Sequence, residues 1–380
     1  MLPTTATAGG RPEPVPRATS TRTSSAPRSR TRYRGAVHPR RLIALAIAAG
    51  LGLSACLGTT GSGSGTTPPT PPINSVAVAY DISGRGDGGF NDIAYNGAKQ
   101  AADELGLELI EVTAKLDDTD DDRAERLRLL AERGYDAIIA VGFTYAVPMQ
   151  TVAAEFPLVR FAIVDDGTVT GPNVRGILFA EHEGSFLVGA AAGLWTQTDQ
   201  VGFIGAVQIP LIQKFEAGFA AGARQANPDV EVQATYLSQP PDYSGFGDPP
   251  HGREAALGMY DNGVDVIFAA AGGSGAGVHE AAAASGSWSI GVDADEYRLA
   301  PEAVRDHILT SMLKNANVGT YEFLVSVANM TFTPGVVTYG LANGGVGYAT
   351  SGGFVDDIAA ELDAYAAGIV AGEITVPETP

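Results

Sequence analysis

The chain holds one cysteine, Cys56, so no disulfide can form within it. Outside the leader its histidines are His182, His251, His279 and His307, with no metal-binding spacing such as His-x-x-x-His. No Gly-x-Ser-x-Gly nucleophile elbow occurs. Adjacent acids such as Asp165-Asp166 point to opposite faces of a strand and cannot share a substrate. These absences read as a binder, not an enzyme, with no metal and no cofactor. Positive charge is scarce as well. Beyond residue 56 the chain has 15 basic and 42 acidic residues, net −27, and only four lysines. Such a surface repels nucleic acid and anionic headgroups.

What is present begins with an export signal. Arg40 and Arg41 precede the apolar stretch 42–55, whose 14 residues fall short of the roughly 20 of a spanning helix. The small residues of Leu53-Ser54-Ala55-Cys56 resemble the lipobox of bacterial lipoproteins, in which the thiol is lipidated and becomes residue one. A buried structural cysteine is the alternative. If Cys56 carries lipid, no thiol nucleophile is left in the mature domain. Residues 57–72, LGTTGSGSGTTPPTPP, read as a flexible tether. The remaining 308 residues suit two lobes.

Along those residues short apolar runs alternate with helical stretches. Strands are expected at 76–80, 108–112, 137–141, 158–164 and 176–179, then at 201–204, 230–236, 264–269 and 289–292. Helices are expected at 92–105, 122–133, 182–195, 215–225 and 253–262. This alternation specifies parallel sheets covered on both faces, here as two similar α/β lobes. Ligands of such sheets sit beyond the carboxyl ends of the strands.

The first strand-to-helix loop contains Gly84-x-Gly86-x-x-Gly89, a formal match to the dinucleotide fingerprint, with Glu108 and Glu111 about 20 residues on. Against that reading, Asp81, Ile82 and Ser83 separate the strand from the first glycine, and Asp81 and Asp87 would face a pyrophosphate with like charge. A second cluster, Gly272-Gly273-Ser274-Gly275-Ala276-Gly277, lacks the fingerprint spacing and more simply lets backbone amides approach a ligand.

Several segments resemble those of the basic membrane protein family, the lipoprotein substrate-binding components of nucleoside ABC importers. They are Gly89-Phe90-Asn91, Val141-Gly142-Phe143, Phe161-Ala162-Ile163-Val164-Asp165, Lys214-Phe215-Glu216-Ala217-Gly218-Phe219, Ala271-Gly272-Gly273-Ser274-Gly275, Gly291-Val292-Asp293-Ala294-Asp295 and Thr310-Ser311-Met312-Leu313-Lys314. The resemblance implies a type I periplasmic-binding-protein fold, two Rossmann-like lobes joined by a three-crossover hinge. We expect 73–182 with 307–336 in the first lobe and 183–306 with 337–380 in the second. It further implies a nucleoside ligand, purine first, a permease and ATPase subunits as partners, a monomer, and anchorage outside the cell membrane through Cys56. A surface receptor without transport, or a nucleotide-cofactor enzyme, is the rival.

For a nucleoside, Phe90 is the leading stacking ring, or else a core residue closing a helix start. Phe246 is the second ring, with Phe215 in reserve. Asn91 offers an amide to the base edge, or serves as a helix N-cap. Asp81 and Asp165 end the first and fourth strands, where they accept from ring N–H or ribose hydroxyls, or are solvated loop acids. Asp293 is similar to the family's ribose-binding aspartate, since one carboxylate accepts two hydroxyls. Lys314 donates to a ribose oxygen and offsets Asp293, or is a surface ammonium, and Gly272 and Gly273 add backbone donors. The chain departs from the family at Gly88-Gly89, where many relatives have Lys-Ser, in the proline-rich loop 238–252, and at Asp295-Glu296 in place of Asp-Gln.

Overall fold

The computed structural model describes residues 73–81, 84–115 and 118–380. The export signal, Cys56 and the tether 57–72 lie outside the described residues. The strands are β1 (Ser75–Tyr80), β2 (Glu108–Thr113), β3 (Ala137–Val141), β4 (Arg160–Val164), β5 (Val174–Phe179), β6 (Gln200–Val207), β7 (Glu231–Ser238), β8 (Val266–Ala270), β9 (Trp288–Asp293), β10 (Ile308–Lys314), β11 (Gly335–Tyr339) and β12 (Val346–Tyr348). The helices are α1 (Phe90–Leu105), α2 (Asp120–Glu132), α3 (Ala146–Glu155), α4 (Glu181–Trp195), α5 (Pro210–Ala226), α6 (Pro249–Asp261), α7 (Gly275–Ser285), α8 (Glu296–Leu299), α9 (Glu302–Arg305), α10 (Ala316–Ala328) and α11 (Ala359–Val370).

The apolar runs become strands buried on both faces, as β3 and β8 show over their whole length. Two six-stranded sheets result, ordered β11-β5-β4-β3-β1-β2 and β12-β10-β9-β8-β6-β7. Every neighbouring pair runs parallel except β10 with β12. The polar-alternating β2 and β7 are the outer strands on one side of each sheet. The two lobes thus repeat one plan.

Three chain segments pass between the lobes, at Ala180, at Asn315 and over 340–345, and they are bonded to one another. Ala180 N–H donates to Tyr339 O at 2.8 Å, and Asn315 N–H to Gly345 O at 2.8 Å. In the second lobe α4 and α5 cross with their backbones in contact. A Cβ on Gly189 would lie 2.1 Å from Phe219 O, and one on Gly222 only 1.9 Å from Phe186 O. The helix that leaves the first crossover is thereby fixed to the second lobe.

The lobe boundaries differ from the expectation. Residues 308–314, expected in the first lobe, form β10 in the second sheet between β9 and β12. Residues 337–339, expected in the second lobe, belong to β11 in the first sheet. Residues 181–182 already start α4, which packs on α5. The reason is that the apolar run of β10 pairs with β9 before the chain crosses over, so Lys314 ends a strand at the crossover. Helix α5 also starts five residues earlier than expected, because Pro210 is tolerated in a first helical turn.

Gly222→Ala should lower stability by about 3 kcal/mol through overpacking between α4 and α5. Thermal denaturation measures this, and an unchanged midpoint would contradict the close approach.

Candidate functional site

The carboxyl ends of both sheets face one cleft of about 660 Å³ between the lobes. Asp81, Phe90, Asn91, Asp165, Phe246, Gly272, Gly273, Asp293 and Lys314, all singled out in the sequence, line it together. Phe215, the reserve ring, lines it too but is buried on α5, where it forms wall.

At the floor one ammonium holds the two lobes. Lys314, 2% exposed, donates from Nζ to Asp165 Oδ2 at 2.7 Å and lies 3.1 Å from Glu181 Oε1. It is no surface ammonium. The rings of Phe90, Phe179 and Phe215 stand 5.1, 5.3 and 5.7 Å from it. Burial works against the lysine's charge, but Asp165, Glu181 and Asp293 outweigh it and hold its pKa above the usual range. Asp165 directly follows β4 and Asp293 ends the equivalent strand β9, both with left-handed backbones, φ 68° and 64°. Aspartate tolerates that region better than most residues, yet it is uncommon and concentrates at functional sites. Burial pushes Asp165 up to about 6, with Lys314 pulling down and Glu181 pushing up. Burial likewise pushes Asp293 up to about 7, against Lys314 and with Asp165, Asp87 and Glu296. Asp165 Oδ1 is buried and has no hydrogen-bond partner.

The glycine-rich loop does not form a phosphate cradle. Gly86 and Gly88 N–H donate to Asp92 at 3.0 and 2.9 Å, and Gly89 N–H donates to Asp87 at 3.0 Å. This overturns the dinucleotide alternative, because the chain's own carboxylates occupy the amides. Asn91 is 1% exposed and sits inside α1, so it is not the N-cap; Asp87 accepts the Asn91 and Asp92 amides instead. The Asn91 side chain donates from Nδ2 to Asp81 at 2.8 Å and to Asp87 at 3.0 Å, while Oδ1 is buried without a partner. Gly142, at φ 104°, lets Asp81 lie close: a Cβ there would stand 3.1 Å from that of Asp81.

Aromatic rings from both lobes meet across the opening. Phe143, after β3, lies 5.8 Å from Tyr243 and 6.5 Å from Phe246 between ring centroids. Phe246 in turn packs over the backbone of Gly272, where a Cβ would come within 3.4 Å of its ring. Among the described residues no group of three or more His, Cys, Asp or Glu side chains is arranged to hold a metal ion, and no helix is long and apolar enough to cross a membrane.

Residues 73–380 match the family described as "Bmp: ABC transporter substrate-binding protein PnrA-like". The chain belongs to this family. It is 30% identical to the ABC transporter nucleoside-binding protein BmpA of Lactococcus lactis subsp. cremoris, covering 88% of this chain and 97% of that one. It is 31% identical to the CD4+ T-cell-stimulating antigen of Listeria monocytogenes, over 90% and 99% of the two chains. A Pyrococcus abyssi protein named as a lipoprotein is 32% identical over 80% of this chain and 76% of that one. Among solved structures, an ABC transporter solute-binding protein from Aeropyrum pernix K1 aligns with a TM-score of 0.69 at 28% identity, over 80% and 94% of the chains. The fold is therefore that of the type I periplasmic-binding proteins, and the chain is an ABC transporter substrate-binding protein, not an enzyme.

The cleft of this binding protein includes side chains that sequence reading did not assign. Phe143 opens one single-turn 3-10 helix and Tyr243 precedes another, where a lone aromatic gives no periodic signal, although the position of Phe143 just after β3 marks the cleft side. Glu181, a buried partner of Lys314 and not itself part of the lining, resembles any acid in a first helical turn. His279 and Glu296 both line the cleft and are hydrogen-bonded to each other, with His279 Nδ1 2.8 Å from Ser289 Oγ.

The raised carboxyls have a consequence for stability. Their folded pKa values, about 6 and about 7, exceed the unfolded 3.8. The folded state thus favours the protonated forms, and their contribution is full below the unfolded value and lost as pH rises through the folded ones. Asp293→Asn should gain thermal stability relative to wild type as the pH rises from about 5 to about 8. Melting curves of both proteins across that range test it, and a difference independent of pH would contradict the shift.

Proposed function

We propose that the chain is the nucleoside receptor of an ABC importer, anchored by lipid on Cys56 outside the cell membrane and closing its lobes around a purine nucleoside. The observation that carries this reading is the convergence, in one interlobe cleft, of rings and carboxylates from opposite lobes. Phe90 and Asp165 come from the first lobe, Phe246 and Asp293 from the second. A nucleobase offers two faces to such rings, and a ribose diol suits a single carboxylate. The nucleoside-binding relative from Lactococcus lactis and the lipobox-like sequence support the same reading. Asn91 Oδ1, the partnerless acceptor beside the cleft, would take a donor from the base edge. Gly272 and Gly273, open at the other wall, would offer backbone amides.

Lys314 enters as the organiser of Asp165 and Asp293. The ligand bridges the lobes, favours the closed form, and the permease reads that form while separate ATPase subunits supply energy. The protein acts as a monomer in this scheme.

Isothermal titration of the protein from Ile73 onward against a nucleoside panel tests the reading. Purine nucleosides should bind, and Phe90→Ala should weaken them about 10- to 100-fold, the value of one stacking ring. Asp293→Ala should weaken ribonucleosides more than the free bases. Absence of binding by every nucleoside up to millimolar concentration, on the order of −4 kcal/mol, would refute it.

A further inference from the structure

We infer that the cleft rejects phosphorylated ligands, and that Asp87 is a specificity-determining residue that keeps nucleoside phosphomonoesters out. The inference rests on the nucleoside reading above. A glycine-rich loop opening a helix takes phosphate when its amides point at the ligand. In this loop the position for an anion is already filled from within the chain. Asp87 accepts from the amides of Gly89, Asn91 and Asp92 at 3.0, 2.9 and 3.2 Å, and Asp92 takes those of Gly86 and Gly88. Arg85, the cation in the loop, is turned to Asp92 at 2.6 Å and Glu111 at 3.2 Å and stacks on Tyr95.

The rest of the cleft offers no free ammonium or guanidinium. Lys314 is the one lysine or arginine among the lining residues, and its ammonium is bonded to Asp165 and Glu181. Six carboxylates line the same space: Asp81, Asp87, Asp165, Glu280, Asp293 and Glu296. Asp87, Asp165 and Glu296 lie within electrostatic reach of Asp293, the group proposed to hold the ribose. The 5′ carbon is attached directly to the ribose ring, so a 5′-phosphate would enter this field. Leu299, next to Gly88 across the mouth, adds an apolar wall.

Nucleotides outside the membrane must therefore first pass through phosphomonoester hydrolysis. In that reaction class water adds to phosphorus, the bond from phosphorus to the ribose oxygen breaks, the oxygen takes up a proton, and inorganic phosphate leaves. The product is the neutral ligand this cleft accepts.

The test is titration of the full chain with a purine nucleoside and with its 5′-monophosphate at low and high salt. The monophosphate should bind on the order of 100-fold more weakly at low salt, and the gap should narrow at high salt as the repulsion is screened. Asp87→Asn should narrow the ratio about tenfold, whereas general damage to the loop would weaken both ligands alike. If that variant does not fold, the salt series on the wild-type chain decides. Monophosphate binding within about threefold of the nucleoside would overturn the inference while leaving the nucleoside reading intact. Failure of both ligands to bind would remove the nucleoside reading, and this inference with it.

Discussion

The ammonium of Lys314 is the point on which the two lobes are assembled. It sits at the end of β10, one residue before the second crossover, and bonds to Asp165 at the end of β4 and to Glu181 just after the first crossover. A buried charge is tolerated only with partners, and loss of one partner leaves the other uncompensated at about 3–5 kcal/mol. The ends of three chain segments are thus held to one atom. That bond set fixes the cleft floor, because one of the segments it joins carries Asp165, another pairs with the strand that ends in Asp293, and the ammonium stands beside Phe90. One cation facing several acids also explains why the carboxyls are raised rather than lowered: the attraction is shared, and burial prevails.

The repeated architecture sharpens the roles. Asp165 and Asp293 occupy matching strand ends in sheets of matching order and share the same uncommon backbone. Of these two aspartates, Asp165 is the one hydrogen-bonded to the ammonium. The symmetry therefore generates two carboxylates, and the single lysine makes them unequal. One carboxylate is tied to the hinge. In the nucleoside reading the other is left to the sugar.

Much of this was legible because both-face burial writes continuous apolar runs, and strand ends in such sheets announce their side of the molecule. The nine candidate residues reached one cleft for that reason. What stayed hidden depended on pairing. Nothing in Ile308–Lys314 says which sheet will take it, since a parallel strand is equally apolar in either lobe. Asn91 carried the residue type of a helix cap, yet Asp87, four residues earlier, holds the helix start and leaves the amide side chain to Asp81. Glu181 looked like an ordinary helix-start acid because its partner lies 133 positions away in the chain. Long-range ion pairs leave no periodic trace.

Two kinds of contact join the lobes, and they bear differently on closure. The Lys314 cluster lies beside the crossovers, where a rotation of the lobes moves atoms least, so the same bonds can persist through an opening. The rings of Phe143, Tyr243 and Phe246 meet at the rim, away from the crossovers, where the same rotation would part them. In a protein that works by hinge closure, only contacts that differ between the states shift the balance. In the proposed closure, the pivot sets where the lobes turn, and the rim together with a bridging ligand favours the shut form. Stiffness and selectivity are in this way assigned to separate residues of one cleft.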